Sequence, residues 1–329
     1  MLPNDPMDPI ADGAGANTGP LSGALLVTRD LVTTRRAYVD AAGMRLNGPL
    51  ASAPATVAAQ RLLWQLPPDL GWQCYLLTRP SLPDAIRILV IVPDLPTPVI
   101  RRSFAREETG PYALGFPMPD VRAVDRRFIA CALRRTLPDV NEYSLQMRDG
   151  THYPVTEASY ETADNTRLVL MQRGAGLPQT GSVDAATNLG GPAYSSAIVE
   201  DATAMEAFFT QVLDLERRSS REWTVFTPKF RYITLHARGA RTGNLGLVEY
   251  AADDRICGTG VAARPPNRGL AGWSFPVKRV DELLTRARAA NCQIVCEGVQ
   301  YDDPRFGAVR AASLLAPNGM LIELLQPLS

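Results

Sequence analysis

Two carboxylates and one histidine are the residues of this sequence best placed to do chemistry. Glu249 lies in the segment LGLVEYA, Glu323 in MLIELLQ and His236 in RYITLHARG, and the apolar and β-branched content of these segments predicts strands. A carboxylate inside an apolar strand has to be hydrogen-bonded, paired with a cation or solvated. Two carboxylates in one cleft would suit abstraction of a proton next to a carbonyl group, so these three side chains are our catalytic candidates.

The sequence offers few ligands for a metal ion. Its histidines are His152 and His236, whereas a first-row divalent ion normally takes three or four protein N, O or S ligands. Glu249, Glu323 and His236 would make an unusual set, so we disfavour a divalent metal and predict no cofactor. His236 is more simply explained as a hydrogen-bonded strand histidine, and His152 is expected in an exposed turn.

Bulk composition excludes several functional classes. The 329 residues suit about two domains, and a formal net charge of zero with no charged tail argues against nucleic acid or an anionic membrane surface as partner. No apolar run approaches the roughly 18 residues of a membrane helix, and the N-terminus lacks the pattern of a signal peptide. The five cysteines, an odd number, then indicate reduced thiols and a soluble, cytoplasmic protein.

A unit consisting of a strand, a capped amphipathic helix and several strands recurs four times along the chain. The residues that precede the four helices, spaced at roughly 80 to 90 residues, are Asp30, Asp120, Asp201 and Arg279. Three of them are aspartates, which favour the N-cap position. We therefore predict an α+β fold of four βαβββ units.

A Gly-, Pro- and Ser-rich segment divides the four units into two pairs. This predicted linker covers residues 173–191 and lacks hydrophobic periodicity. It separates an N-terminal module, residues 21–172, from a C-terminal module, residues 192–329. Residues 1–20 are rich in Pro, Gly, Asp and Asn, which predicts a flexible N-terminus.

Two segments of the C-terminal module carry a family resemblance. The chain ends in FGAVRAASLLAPNGMLIELLQ, where Arg310, an apolar strand, a Pro-Asn-Gly turn and a strand bearing Glu323 follow one another. The third unit begins SSAIVEDATAMEAFFTQVLDLE, a strand, a Val-x-Asp cap and a helix with paired aromatic residues. Both resemble signatures of the vicinal-oxygen-chelate superfamily of glyoxalases, bleomycin-resistance proteins and extradiol dioxygenases. The resemblance is specific over about 190–327 and weaker over about 20–172.

The resemblance implies two tandem glyoxalase-like modules, each a half-open barrel around a cleft. It also implies a metal held by a histidine near the start of each unit and by a glutamate on a late strand. The residues at the four histidine positions are Gly23, Ala113, Tyr194 and Gly272. The glutamate positions hold Glu249 and Glu323 in the C-terminal module but Leu170 in the N-terminal one, so the N-terminal module is the more degenerate.

The same family resemblance, together with strand alternation, suggests ligand-binding candidates in the C-terminal module. These are Tyr194, Ser196, Ser274 and Arg310. Tyr194 either offers a hydroxyl to a ligand or fills the space of the metal, and the serines either line a pocket or simply pack. Glu249 and Glu323 are either polar anchors or structural carboxylates paired with an arginine such as Arg310. The glycines either widen the cleft or allow close approach of the backbone.

Three functional hypotheses remain open, because one fold supports many functions. The first is a metal-free protein that binds a small, partly apolar molecule in the C-terminal cleft and resembles the antibiotic-sequestering members. The second is a divergent lyase, isomerase or dioxygenase that uses Glu249 and Glu323 with or without a divalent metal. The third is a structural or interaction role with filled clefts. A homodimer is a further option, because modules of this family pair within one chain or between two.

Overall fold

The computed structural model describes residues 16–146, 152–174, 180–224 and 226–328. Most of the predicted flexible N-terminus and residues 175–179 of the predicted linker lie outside these ranges. The helices are α1 (Leu31–Arg35, continued by a π-helical turn over Arg36–Ala41), α2 (Pro54–Trp64), α3 (Val121–Ala130), α4 (Ala202–Gln211) and α5 (Val280–Ala289), with 3-10 turns at Ala163–Asn165 and Ala252–Asp254.

The strands follow the order of the four predicted units. Units one and two contain β1 (Gly23–Val27), β2 (Arg45–Asn47), β3 (Trp72–Thr78), β4 (Arg87–Pro93), β5 (Gly110–Pro117), β6 (Asn141–Gln146), β7 (His152–Glu161) and β8 (Arg167–Arg173). A short hairpin, β9 (Val183–Asp184) and β10 (Leu189–Gly190), lies between the halves. Units three and four contain β11 (Tyr194–Ile198), β12 (Glu216–Trp223), β13 (Phe230–His236), β14 (Asn244–Tyr250), β15 (Gly269–Pro276), β16 (Ile294–Asp303), β17 (Gly307–Leu315) and β18 (Leu321–Pro327).

These strands form two eight-stranded sheets, and each sheet combines both halves of the chain. The 1–4 sheet joins units one and four in the order β16-β17-β18-β15-β1-β4-β3-β2, and the 2–3 sheet joins units two and three in the order β12-β13-β14-β11-β5-β8-β7-β6. Antiparallel seams between β1 and β15 and between β5 and β11 lie at the sheet centres. The predicted α+β fold of four βαβββ units is confirmed. Each sheet, with any cleft on it, is therefore shared by the two halves.

The helix starts agree with the sequence analysis. Asp30, Asp120 and Asp201 each accept a hydrogen bond from the backbone N–H three residues later, at 2.8–2.9 Å. Such a cap satisfies one of the amide groups that the first helical turn leaves without a partner. Arg279 precedes α5 without a side-chain cap. No helix in the described part of the chain is long and apolar enough to cross a bilayer.

Helix α2 was not predicted, and it fills one face of the 1–4 sheet. It begins at Pro54, a residue suited to the first helical turn because its N–H would have no partner there. The Ser313 hydroxyl of β17 donates to the Leu63 carbonyl at 2.7 Å, and both Leu63 and Trp64 are fully buried. Arg310 on the same strand pairs with α5. Because side chains alternate along a strand, α2 and α5 cover opposite faces of the sheet.

The shared sheets predict that neither half folds alone. A fragment of residues 192–329 would expose the unpaired edges of β11 and β15, both of which the full chain buries. We expect residues 16–172 and 192–329, each expressed separately, to show no cooperative thermal unfolding, and a cooperative transition to return when the two are co-expressed. A monomeric fragment with a sharp calorimetric transition of its own would contradict this prediction.

Candidate functional site

A cavity of about 170 Å³ lies in the 2–3 sheet and is walled by both halves of the chain. The aromatic residues that line it are Tyr112, Tyr143, Tyr194, Trp223, Phe226, Phe230, Tyr232 and Tyr250. Trp223 lies 5.7 Å from Phe226 and 6.1 Å from Phe230, measured between ring centroids. Close ring packing of this kind gives the cavity a stable apolar wall.

Strand alternation and two glycines create this lining. Phe230, Tyr232 and Thr234 sit at every second position of β13, so all three face the cavity. A Cβ atom at residue 246 would meet the Tyr232 hydroxyl at 2.3 Å, and one at residue 115 would meet the Tyr194 ring at 1.8 Å. Gly246 and Gly115 are therefore required beside these two tyrosines, where larger residues would displace the rings.

Glu157 of β7 is the one carboxylate among the described residues of the cavity wall. It accepts a hydrogen bond from the Tyr143 hydroxyl at 3.0 Å. Burial raises the pKa of Glu157 above its ordinary value, although the positive charge of Arg106 opposes the shift. Burial and the neighbouring Glu157 also raise the pKa of Tyr143 well above its ordinary value, so the tyrosine is a neutral donor at physiological pH.

Four arginines also line the cavity: Arg106, Arg173, Arg218 and Arg221. The guanidinium of Arg106 lies over the Phe226 ring, 4.6 Å from its centroid, a favourable cation–π arrangement. Burial, followed by the charge of Arg218, lowers the pKa of Arg173 to about 10. The cavity is thus apolar over most of its wall, and its described lining includes four arginines and one carboxylate.

The corresponding face of the 1–4 sheet is filled near Glu323. The Glu323 carboxylate accepts hydrogen bonds from Trp64 Nε1 at 2.8 Å, Ser274 Oγ at 2.5 Å and Arg305 Nη2 at 2.9 Å. All four side chains are fully buried, and Trp64 is the last residue of α2. The helix therefore occupies the space above Glu323.

Arg305 is the centre of this buried cluster. It makes ion pairs with Asp303 at 2.7 Å and with Glu323 at 2.9 Å. Burial disfavours its charge, but the two carboxylates outweigh that effect and raise the pKa of Arg305 well above its ordinary value. Burial likewise works against the charge of Asp303, yet Arg305 keeps the pKa of that carboxyl below its ordinary value. A Cβ atom at Gly23 would meet the Arg305 guanidinium at 3.1 Å, so this glycine permits the close approach.

The structure separates the three catalytic candidates. Glu323 lies in the 1–4 sheet, whereas His236 and Glu249 lie in the 2–3 sheet. Alternation along β14 turns Glu249 away from the cavity, toward the start of α4, where it accepts a hydrogen bond from Ala202 N at 3.2 Å. Its other neighbour is Arg231, at 3.7 Å.

His236 and the four ligand-binding candidates also occupy different places. His236 lies at the end of β13, where burial and then Arg218 lower its pKa. Tyr194 and Ser196 line the cavity, but Ser274 belongs to the buried Glu323 cluster. Arg310 forms a two-point pair with Asp281 at 2.5–2.6 Å on the outer face. The arginine that pairs with Glu323 is therefore Arg305 and not Arg310.

The whole chain is similar in structure to solved proteins of comparable length. Glyoxalase I from Zea mays superposes with a TM-score of 0.59 and 14% identity over 94% of this chain and 92% of that chain. A dioxygenase-like protein from Bacillus subtilis gives 0.52 and 12% over 95% and 86%. The chain has the vicinal-oxygen-chelate fold. At these identities the likeness establishes the fold alone. No protein-family model matches the sequence, and the search of curated proteins gives no match.

The side chains present do not fit the metal that the vicinal-oxygen-chelate fold implies. Within the described ranges, no group of three or more His, Cys, Asp or Glu side chains could hold an ion. Glu157 shares its cavity with four arginines, whose charge repels a cation. Glu323 is already occupied by three donors, one of them a cation.

Most of the residues that line the cavity were not among the predicted site residues. Glu157 and Tyr143 come from unit two and Arg106 from the segment just before it, where the resemblance is weak and no motif marks them. A signal existed in unit three, because Phe230, Tyr232 and Thr234 repeat with the period of a strand. That pattern predicts one aromatic face, but only the seam with unit two shows that the face borders a cavity.

Removing the Glu323 charge should destabilise the protein strongly. Breaking a buried ion pair by removing one partner costs roughly 3–5 kcal/mol, so we expect Glu323→Gln to lower the free energy of unfolding by about 3 kcal/mol, measured by urea denaturation. Arg310→Met is the matched control, since it breaks an exposed pair and should have little effect. Equal losses in the two variants would contradict the structural role of Glu323.

Removing the Glu157 charge should have an effect that depends on pH. A carboxyl with a raised folded-state pKa stabilises the fold below its unfolded-state pKa of about 4.3, and this stability is lost as pH rises through the folded-state value. We therefore expect Glu157→Gln to raise the melting temperature relative to wild type more at pH 7.5 than at pH 4. The control is Glu142→Gln on the exposed side of β6. A difference in melting temperature that is constant across pH would contradict the assignment.

Proposed function

We propose that this protein binds a small, partly apolar molecule in the cavity of the 2–3 sheet, without a metal ion. The supporting observation is an aromatic-lined cavity of about 170 Å³ that also presents a few polar groups, as small-molecule sites usually do. An apolar cavity of about 150 Å³ is large enough for benzene. The expected site lay in the C-terminal cleft; the proposed one is shared by units two and three.

Polar atoms without partners support this proposal. The Asn244 side chain is 4% exposed, and its Oδ1 has no hydrogen-bond partner in the described part of the chain. The same holds for Trp223 Nε1. Both residues line the cavity, as do Tyr194 and Ser196. Because a buried polar atom without a partner costs free energy, a ligand that bonds to these atoms would stabilise the protein.

The other two hypotheses receive less support from the geometry. Proton transfer by Glu249 and Glu323 would need both carboxylates in one cleft, and they lie in different sheets. A purely structural role suits the face filled by α2, where Trp64 covers Glu323. It does not account for an unfilled cavity in the 2–3 sheet, since unfilled volume in a core reduces stability.

Native mass spectrometry tests the proposal directly. Protein purified without chelator is incubated with a set of one-ring aromatic compounds of different charge, and its metal content is measured by elemental analysis. We expect at least one compound to bind at one per chain, with no stoichiometric transition metal. A stoichiometric metal would overturn the metal-free assignment, and failure of every compound to bind would overturn the binding function.

Two matched variants locate the binding site. Ser196→Phe places a ring in the cavity and should abolish binding, because Ser196 lines the wall. Ser220→Phe makes the same change on the opposite face of β12, where Ser220 lies within hydrogen-bonding distance of Arg231, and should leave binding intact. Binding that survives in Ser196→Phe would exclude this cavity as the site.

A further inference from the structure

The charge of the cavity points to the class of ligand it takes. Among the described residues of the wall, four are arginines and only Glu157 is a carboxylate. The arginine charges that act on Glu157 are those of Arg106 and Arg167. The charge that acts most on Arg173 is instead that of a second arginine, Arg218. Arg173 and Arg218 thus bring two positive charges close together in the cavity wall.

A β-bulge turns Arg218 toward the cavity. The register between β12 and β13 passes from Arg217 opposite Leu235 directly to Ser219 opposite Thr234, so Arg218 has no partner residue on the neighbouring strand. A bulge adds one residue and redirects its side chain. As a result Arg218 lines the cavity together with Ser219 and Arg221, although strict alternation would place it on the other face.

Nothing in the described part of the chain neutralises Arg218. Burial lowers the pKa of its guanidinium, and no carboxylate of the described residues opposes this shift, whereas the adjacent Arg217 pairs with Glu206 at 3.3 Å on the outer side. A partly buried cation without a counter-charge is unfavourable, and a second cation nearby adds repulsion. An anion placed beside Arg218 would remove both penalties.

We propose that the ligand is a one-ring aromatic carboxylate whose oxyanion binds at Arg218, beside Arg173, while its ring lies against the aromatic wall. A guanidinium matches a carboxylate through two parallel hydrogen bonds. The wall formed by Tyr143, Trp223 and Tyr232 supplies the apolar surface. The cavity volume of about 170 Å³ suits one ring with a short acidic substituent, given that about 150 Å³ holds benzene. This inference rests on the binding function proposed above.

The test compares three probes of nearly equal shape and different charge by isothermal titration calorimetry. Phenylacetate is the anion, phenylacetamide the neutral analogue and 2-phenylethylammonium the cation. We expect the wild-type protein to bind phenylacetate at least about tenfold more tightly than phenylacetamide, since hydrogen bonds to a charged group are the stronger kind, and to bind the ammonium compound most weakly.

Variants at neighbouring positions assign the preference to Arg218. Arg218→Met should reduce phenylacetate affinity about tenfold or more and leave phenylacetamide affinity unchanged. Arg217→Met, the matched control on the outer side, should behave as wild type. Equal affinity of the wild type for acid and amide, or full phenylacetate affinity in Arg218→Met, would overturn the anion site while the binding function stands. If no probe of any charge binds, the binding function itself fails.

Discussion

Both sheets depend on one kind of interaction, an antiparallel seam that pairs a strand of the first half with a strand of the second. The seams are connected to each other, because Trp273 of β15 donates to the Ser195 hydroxyl at 2.8 Å, and Ser195 donates to the Ala113 carbonyl at 2.9 Å. Trp273 and Ser195 are fully buried. The four units therefore depend on one another structurally, and each potential cleft lies between the halves.

The two sheets share this strand order but differ in what covers the concave space beside the seam. In the 1–4 sheet, α2 fills the space above Glu323, and every charge enclosed there has a partner, as burial demands. In the 2–3 sheet the described residues of units two and three contain no counterpart of α2, and aromatic side chains leave a cavity that four arginines also line. One cleft has become part of the core, and the other contains a cavity.

Local features were predictable because they depend on residues close in sequence. The caps at Asp30, Asp120 and Asp201 follow from side-chain chemistry three residues from the helix amides. Tyr194 and Ser196 were placed at a cleft through the family resemblance, and both line the cavity. Helix α2 carried a local signal, Pro54 followed by residues that favour helices. It was not predicted because each repeat unit was expected to contain one helix only.

The sequence by itself determined the four units, the α+β class and the scarcity of metal ligands, since repeat period, strand alternation and residue type are properties of the chain alone. Only the tertiary structure decided which units share a sheet, and hence which cleft stays open. Side-chain alternation along β14 turned Glu249 toward α4, and the turn between β16 and β17 brought Arg305, not Arg310, to Glu323. The physical reason is that strand register fixes the direction and neighbours of every side chain, and register across a seam depends on contacts between the two halves.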